Sequence, residues 1–291
     1  MSIDRAQRYG PRSALRVIYD PVMVAPAQGY SPSAAKPTAV MEAWRAHWPA
    51  LTIRPPLAVT REELATAHCS RFVADVLDGR IQNGFGTISP DVNASLPYTT
   101  GALLSAARWA LDEGGAVAAP VSGFHHAGWD SAEGFCTFNG LMVTARVLQS
   151  EQPGLRVGIL DYDYHYGNGT VDILDVLNCR DIVHVTAGER WKRPEQAAAF
   201  LDHIARDLEA LAECDIVLYQ AGADPHVDDP LGGFLTTSQL ALRDWKVFSG
   251  LKARGIPVAW DLAGGYQTPL SRVIDIHMNT MRAAVEVHAT A

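Results

Sequence analysis

The sequence predicts an α/β fold, with a single, mostly parallel sheet covered by helices on both faces. Three observations lead to this prediction: short apolar runs rich in β-branched residues, longer segments with helical spacing between them, and no polar alternation inside the apolar runs. Strands that are apolar on both faces are typical of parallel sheets buried between two helical layers. The chain has 291 residues, of which 48% are hydrophobic and 19% charged, and this is enough apolar material for one such core.

Strands and helices alternate along the chain. The predicted strands are residues 15–19, 116–119, 157–161, 182–186, 216–220 and 257–261. The predicted helices are residues 99–112, 136–149, 195–212 and 237–253. Two stretches with turn-forming residues, 31–37 and 83–97, are predicted to be loops. Because no repeat, low-complexity tract or linker divides the sequence, we expect residues 1–291 to form one domain.

Charge and cysteine content narrow the function classes. The chain has 24 Lys and Arg against 32 Asp and Glu, and a net charge of −8 disfavours nucleic acid as a partner and is compatible with a cationic substrate. The four cysteines form no CxxC pair, which predicts reduced thiols rather than disulfides or a structural zinc site. We find neither a signal peptide in MSIDRAQRYGPRSALRV nor an apolar run of membrane-spanning length, and therefore expect a cytoplasmic protein without membrane association.

Polar residues follow four of the predicted strands at their carboxyl ends. In chain order they are His125 and His126, then Asp161, Asp163 and His165, then Asp224, and finally Tyr266. In open parallel sheets, ligands and catalytic groups collect outside the carboxyl ends of the strands. The sequence therefore predicts one functional site at this edge of the sheet.

Three of these residues are predicted to bind a catalytic metal ion. In ILDYDYHYGNGT, Asp163 and His165 stand at alternate positions, so in an extended chain both side chains lie on one face. Asp224 follows the predicted strand at residues 216–220 and adds a third ligand. Zinc with three such oxygen and nitrogen ligands keeps a fourth position for water, which is typical of a catalytic ion. An isolated DxDxH would more often be a polar loop, but the other groups at the same edge favour the metal site.

The paired histidines are predicted to supply general acid and base catalysis. The unperturbed pKa of histidine lies near neutrality, so His125 and His126 can exchange protons with a water molecule activated by the metal. Each ring needs a partner that fixes its tautomer. Asp161 and Asn168 are suitable partners, because they flank residues 162–167, which we call the metal loop. A lone pair of adjacent histidines would more often include a buried structural one.

A tyrosine after two glycines completes the predicted site. Gly264 and Gly265 in DLAGGYQ allow a close approach of the backbone or a positive φ. The hydroxyl of Tyr266 could then donate a hydrogen bond to the oxyanion of a tetrahedral intermediate. The GGY pattern alone would more often mark a core tyrosine beside a turn.

Five motifs, HHA, GFCTFN, DYDYHYGNGT, QAGADPHVDDPLGGF and LAGGYQ, occur in this order within residues 15–280. Together they resemble the histone deacetylase superfamily, in particular its bacterial histone deacetylase-like amidohydrolases and acetylpolyamine deacetylases. The resemblance implies the arginase–deacetylase fold with an eight-stranded sheet, of which six strands are recognisable here. It also implies hydrolysis of the amide of an acylated amine, either acetyl-lysine or acetylpolyamine, by water activated by zinc.

The resemblance also implies roles for individual residues. The zinc ligands would be Asp163, His165 and Asp224, and the catalytic residues would be His125 with Asp161 behind it, His126 with Asn168 behind it, and Tyr266. The substrate channel would be lined by Phe135 and Leu231, with Gly134 and Gly265 also binding substrate. Family members often bind potassium near the aspartate loop, where Asp161 and Thr186 could take part.

The sequence also departs from the family pattern. Tyr166 stands where many relatives have a second histidine, and SAAKPTAV replaces an early proline-rich motif. The segment HVTAGERWKRPEQ lacks the usual glycine-rich loop and the second aromatic wall of the channel. The channel is therefore predicted to be wider, or to be closed by Trp191 or by another subunit in a homo-oligomer. An acyl-lysine peptide and a small acylated amine both stay open as substrates.

Two alternative functions follow from the same residues. A binuclear manganese ureohydrolase on the same fold needs a DxHxD arrangement and a second DxD pair, whereas this chain has DYDYH and ADPHVD. A non-catalytic protein that binds acylated amines could keep the fold without the reaction, although every catalytic position is filled here. Metal analysis and a deacetylation assay separate these alternatives from a deacylase.

Overall fold

The fold is an open sheet of parallel strands surrounded by helices. The structure is a computed structural model that describes residues 16–25 and 36–288. In that part of the chain seven strands pair in the order β2-β1-β3-β7-β6-β4-β5, and every pairing is parallel. The strands are β1 (Arg16–Ile18), β2 (Thr52–Arg54), β3 (Ala116–Ala118), β4 (Val157–Asp161), β5 (Ile182–Thr186), β6 (Ile216–Gln220) and β7 (Val258–Asp261).

All six predicted strands are confirmed within a residue or two, except that Leu15 lies outside the described residues. Every residue of β4, β6 and β7 is buried, so both faces of the central sheet are covered, as their uniformly apolar sequences predict. The seventh strand, β2, was not predicted because its three residues lie at the sheet edge and are partly exposed. The described residues thus contain seven of the eight strands that the family resemblance implied.

Nine α-helices lie in the described residues. They are α1 (Lys36–His47), α2 (Arg61–Leu64), α3 (Ser70–Leu77), α4 (Pro90–Glu113), α5 (Gly140–Glu151), α6 (Asn168–Val176), α7 (Ala197–Ala210), α8 (Thr237–Ala253) and α9 (Ser271–His288). Helix α4 packs against α5, while α8 packs against both α7 and α9, and α9 also contacts α1. None of these helices combines the length and the apolar character that crossing a bilayer requires.

The loop prediction for residues 83–97 is wrong in its second half, because α4 begins at Pro90. The Ser89 hydroxyl accepts a hydrogen bond from the Val92 amide, and Pro90 occupies the first turn, where its missing N–H has no helical partner to lose. The carbonyl of Pro97 accepts a hydrogen bond from the Val59 amide. Pro90 therefore marks the start of a helix, and Pro97 lies inside that helix.

The other predicted loop, residues 31–37, falls partly outside the described residues, which resume at residue 36. Lys36 and Pro37 belong to the first turn of α1, so the loop prediction is wrong for these two residues. Both side chains are buried in the protein interior. This places the ammonium group of Lys36 behind the functional site described below.

Candidate metal centre and active site

The predicted site residues lie together at the carboxyl edge of the sheet. They follow β3, β7, β6 and β4, which are the four consecutive central strands. The strand ends are in register, since Asp161 pairs with Gln220 and Gln220 pairs with Asp261. The expectation that separate strands deliver their polar residues to one edge is therefore confirmed.

Asp163, His165 and Asp224 form a compact group with the geometry of a metal site. One ligand atom from each residue lies within 4.8 Å of the other two. The Nδ1 atom of His165 is 2.9 Å from Oδ2 of Asp224 and 3.2 Å from Oδ1 of Asp163. Both carboxylates are buried, and the imidazole is half-buried. One face of the group therefore stays accessible.

The electrostatics of this group suit a divalent cation. Burial and the negative charge of Asp163 raise the pKa of the Asp224 carboxyl well above its usual range. The buried carboxylates of Asp163 and Asp224, whose ligand atoms lie within 4.8 Å of each other, repel each other when both are charged. A dication between them would offset both this repulsion and the loss of hydration. The donor set of two oxygens and one nitrogen also matches a catalytic metal centre. The residues present therefore fit a metal ion.

Backbone amides hold the two carboxylates in place. Gly264 donates its amide to Oδ2 of Asp163 at 2.8 Å, and Tyr164 donates its amide to Oδ1 of Asp224 at 3.3 Å. A Cβ atom on Gly264 would lie 2.5 Å from Cγ of Asp224 and 2.7 Å from Oδ2 of Asp163. The predicted close approach of the GGY turn is therefore confirmed, and its contact is with Asp163 and Asp224, two of the candidate metal ligands.

Gly264→Ala is expected to weaken metal binding by about 10- to 100-fold, because the added methyl group displaces both ligand carboxylates. Overpacking of this kind also destabilises the fold by roughly 1–3 kcal/mol. Chelator competition measures the metal affinity, and thermal unfolding measures the stability. Gly154→Ala is the control. The positive φ of Gly154 makes alanine unfavourable there, so the variant also loses stability, but its methyl group has no neighbour within 4 Å. Equal metal affinities in the two variants would contradict this interpretation.

His125 is bound to a buried carboxylate. Its Nδ1 atom is 2.7 Å from Oδ2 of Asp161, and its Nε2 atom is 3.6 Å from Oδ1 of Asp163. The other oxygen of Asp161 accepts hydrogen bonds from the Gln220 amide group at 2.9 Å and from the Asp163 backbone at 3.2 Å. Gln220 in turn accepts a hydrogen bond from the Phe124 amide at 3.0 Å. Gln220 was not predicted from the sequence, although its place at the end of β6 was a usable signal.

His126 is bound to an amide and lies closer to solvent. Its Nδ1 atom is 2.6 Å from Oδ1 of Asn168, whose own amide group donates to Glu133 at 3.2 Å. The rings of His125 and His126 lie 4.1 Å apart. Burial lowers the pKa of His125, but Asp161 and Asp163 outweigh it and raise this pKa to about 9. Burial and the neighbouring His125 lower the pKa of His126, so the two rings differ in basicity.

Tyr266 lies beside Phe135, and the ring centroids are 6.0 Å apart. Burial, followed by the charges of Asp224 and Asp163, raises the pKa of the Tyr266 hydroxyl, which therefore stays protonated. Asp229 links Tyr266 to Leu231, the other predicted channel wall. Its carboxylate accepts hydrogen bonds from the backbone amides of Tyr266 at 2.8 Å and of Leu231 at 3.0 Å. The sequence contained no signal for this role of Asp229.

Comparison with known proteins identifies the family. The model of the histone deacetylase domain matches residues 32–186, which is more than half of the chain. The chain belongs to the histone deacetylase family. An uncharacterized protein of Picosynechococcus sp. is 29% identical over 267 residues, covering 86% of this chain and 88% of its own. Acetylpolyamine amidohydrolase 2 of Pseudomonas aeruginosa is 29% identical over 176 residues, covering 49% of this chain and 48% of its own.

Solved structures share the fold. The HDA15 HD domain superposes with a TM-score of 0.77 at 19% identity, covering 94% of this chain and 89% of that chain. An acetylpolyamine aminohydrolase from Burkholderia pseudomallei superposes with a TM-score of 0.74 at 17% identity, covering 94% and 99%. The fold class predicted from the sequence is therefore confirmed. The match to the Pseudomonas relative spans about half the length of each chain.

The four residues with predicted roles in substrate binding differ in their exposure and in their contacts. Leu231 is 40% exposed, and Phe135 also packs against Phe85, with ring centroids 6.1 Å apart. Gly134 lies against the imidazole of His126, so that a Cβ there would clash with the ring. Gly265 faces inward, and a Cβ there would lie 2.9 Å from the side chain of Ala223. The substrate contacts of these four residues stay predictions.

The two residues of the predicted potassium site are neighbours. Asp161 pairs with Thr186 in the sheet, and the Thr186 hydroxyl accepts a hydrogen bond from the Gly167 amide at 3.3 Å. The Asp161 carbonyl accepts a hydrogen bond from the Ala187 amide at 2.9 Å. Potassium binding by this histone deacetylase family member stays a prediction.

Two buried cations support the site and were not found from the sequence. Lys36 donates a hydrogen bond to the carbonyl of Ala263, just before the GGY turn. Burial lowers the pKa of Lys36 to about 8, although Asp224 and Asp163 oppose this shift. The side chain of Arg243 lies beneath the ligand loops, where it donates to two backbone carbonyls, at 3.1 Å to Tyr162 and at 2.8 Å to Gly222.

The segment that replaces the glycine-rich loop of the family does not bring Trp191 to the channel walls. The Trp191 ring packs against Phe200 and His203 of α7, with centroid distances of 5.8 Å and 5.6 Å. The next residue, Lys192, instead reaches the metal loop and donates to the carbonyl of Tyr164 at 2.7 Å. The proposal that Trp191 closes the channel is therefore not supported by its contacts.

Proposed function

We propose that this member of the histone deacetylase family is a zinc-dependent deacylase that hydrolyses the amide of an acylated amine. The observation that carries the proposal is the group of three metal ligands with two histidines beside it, each oriented by its own partner. His125 is held by Asp161, and His126 is held by Asn168. A metal-binding loop without a catalytic role would not need two oriented histidines.

The metal and the histidines have separate tasks. Zinc held by Asp163, His165 and Asp224 supplies a Lewis acid that polarises the amide carbonyl and makes water more acidic. His126 donates its Nδ1 proton to Asn168, which leaves the lone pair of Nε2 free to accept a proton from water. The lowered pKa of His126 keeps this ring neutral and ready to act as the base.

The oxyanion and the leaving amine are served by other groups. The protonated hydroxyl of Tyr266 donates a hydrogen bond to the oxygen that becomes negative when water attacks the carbonyl carbon. When the C–N bond breaks, the leaving nitrogen takes a proton from a histidine. His125 lies beside the reacting groups, with its Nδ1 atom hydrogen-bonded to Asp161 at 2.7 Å.

The relatives and the net charge support the proposed substrate class. Relatives include proteins named histone deacetylase and acetylpolyamine amidohydrolase, whose substrates share an acylated amine. A net charge of −8 favours a cationic molecule such as a polyamine or a lysine-containing peptide. We propose that the acyl group enters between Phe135 and Leu231, and that the amine stays near the partly exposed rim.

A substrate screen tests the proposal directly. Purified zinc-loaded protein is incubated with acetyl-lysine peptides, acetylpolyamines and longer acyl-lysines, and the free amine is measured. We expect turnover of at least one class, its loss after treatment with a chelator, and its recovery when zinc is added back. No hydrolysis of any class by fully loaded protein would favour the non-catalytic binding protein. Two manganese ions per chain would favour the ureohydrolase.

Asn168→Asp is expected to move the acidic limb of the kcat/KM profile to higher pH by about one unit or more. The new carboxylate would face Nδ1 of His126, where it stabilises the imidazolium and so raises the pKa of the base. A base with a higher pKa stays protonated up to a higher pH, and activity on the acidic side is lost.

The control for this pH shift is Asn178→Asp, which adds the same charge in the exposed turn after α6. Its pH profile is expected to match that of the unmodified protein. An unshifted acidic limb in Asn168→Asp would remove His126 from the role of base.

A further inference from the structure

Tyr164 is the one residue between the proposed metal ligands Asp163 and His165. Its amide, its carbonyl and its ring each make a contact with a neighbouring residue. Its amide donates to Oδ1 of Asp224 at 3.3 Å, and its carbonyl accepts from the Lys192 ammonium at 2.7 Å. Its ring stands perpendicular to the His165 ring, with centroids 5.4 Å apart. The backbone that leads into His165 is therefore fixed from both sides of Tyr164.

Lys192 makes two contacts with the same residue. Besides its hydrogen bond to the Tyr164 carbonyl, the ammonium nitrogen lies 4.1 Å from the centroid of the Tyr164 ring. This is the geometry of a cation–π interaction, which contributes about 0.5–2 kcal/mol depending on its hydration. The two contacts together restrict both the rotation of the peptide after Tyr164 and the rotamer of its ring.

The Tyr164 ring also contacts the loop that carries Leu231. A Cβ atom on Gly232 would clash with Cε1 of the ring, so the backbone of the loop that carries Leu231 lies directly against it. The ring thus has contacts with Lys192, His165 and Gly232. These contacts connect the segment 188–193 to the metal loop and to a predicted wall of the channel.

The charge of Lys192 also matches its position. Burial lowers the pKa of the Lys192 ammonium, while the charges that raise it belong to Asp163 and Asp224, the two carboxylate ligands. A half-buried cation at this place is attracted to the metal loop by both ligands. Neighbouring Arg190 is engaged elsewhere, since its guanidinium contacts the Trp191 ring and His203.

We propose that Lys192 is a positioning residue for the metal centre: it holds the carbonyl and the ring of Tyr164 and thereby orients His165 toward the ion. Residues 188–193 belong to HVTAGERWKRPEQ, which lacks the aromatic wall expected from the family. In place of that wall, this segment supplies a lysine that contacts the metal loop. This inference rests on the metal site of the proposed function. It does not depend on which acylated amine is the substrate.

The test compares Lys192→Met, Lys192→Arg and Lys246→Met. Methionine keeps an unbranched stem and removes the charge, and arginine keeps a cation that can donate to the carbonyl and stack on the ring. Lys246 is the matched control, because its half-buried ammonium donates to the Leu201 carbonyl at 3.1 Å on the outer helices. Zinc affinity is measured by chelator competition, and ligand geometry by the visible spectrum of the protein loaded with Co²⁺.

We expect Lys192→Met to bind zinc about 10- to 100-fold more weakly and to show a changed Co²⁺ spectrum. We expect Lys192→Arg to recover most of the affinity, and Lys246→Met to match the unmodified protein in both measurements. The melting temperatures of the metal-free variants separate these effects from a general loss of stability.

The proposal is overturned if Lys192→Met keeps the zinc affinity and the Co²⁺ spectrum of the unmodified protein. It is also overturned if Lys246→Met loses the same affinity, since the effect would then be a general one. Both measurements are made without substrate. An unmodified protein that binds one zinc ion but hydrolyses no acylated amine would therefore refute the proposed function, while the role of Lys192 would still be decided.

Discussion

Tyr266→Phe is expected to lower kcat by ~10²- to 10³-fold while the zinc content stays the same, because the change removes one hydrogen-bond donor to the oxyanion. The ring can keep its place beside Phe135, and the backbone amide can keep its bond to Asp229. A loss confined to the transition state should lower kcat and kcat/KM together and leave substrate binding nearly unchanged. Steady-state kinetics with metal analysis of the same samples measures both quantities.

Tyr166→Phe is the matched control for this variant. Tyr166 directly follows the proposed metal ligand His165, but its side chain is 37% exposed and is assigned no part in the reaction. Removal of its hydroxyl is expected to leave kcat unchanged. Full activity in Tyr266→Phe would take Tyr266 out of the mechanism.

His126→Ala is expected to lose a similar share of turnover with zinc retained, since His126 is not among the proposed metal ligands.

Asp163→Ala is expected to abolish both zinc binding and turnover. Asp163 supplies one of three ligands, and its two oxygens also accept hydrogen bonds from the backbone amides of His165 and Gly264. Two remaining ligands hold zinc far more weakly, so the protein should be isolated without stoichiometric metal. Zinc should raise the melting temperature of the unmodified protein, because a ligand that binds only the folded state stabilises it, and this rise should be missing in the variant.

The control for metal loss is Asp228→Ala, which removes a carboxylate from the loop after Asp224. The Asp228 side chain is 62% exposed and lies 3.9 Å from Arg272, away from the ligand group. Its zinc content, turnover and rise in melting temperature are expected to match those of the unmodified protein. Stoichiometric zinc in Asp163→Ala would show that the ligand assignment is wrong.

The sequence was sufficient to predict which residues meet at this edge of the sheet, because they follow strands. Asp163 and Asp224 lie 61 positions apart, yet each comes just after an apolar run, and parallel strands bring such positions to one edge. The central strands were equally clear, since their buried residues are apolar on both faces. Hydrophobic pattern and strand-end position are local properties, and the sequence records them directly.

The supporting contacts could not be predicted in this way. Arg243 lies inside α8, where periodicity would place an apolar side chain, and nothing near it indicates contact with Tyr162, 81 positions away. Lys36 likewise reaches Ala263 across 227 positions. Such contacts depend on how helices pack against loops, which a single sequence does not encode locally. The early start of α4 was missed for a different reason, because Pro90 is favourable both in loops and in a first helical turn.

The contacts of Arg243 have a consequence for metal selectivity. One buried guanidinium binds the carbonyls of Tyr162 and Gly222, and these residues lie directly ahead of the loops that carry Asp163 and Asp224. The backbone ahead of both carboxylates is therefore held by contacts inside the protein. A preorganised cage of this kind needs little ordering of the chain on binding. If these residues bind a metal ion as proposed, a site held in this way should discriminate between ions by their size and preferred coordination geometry.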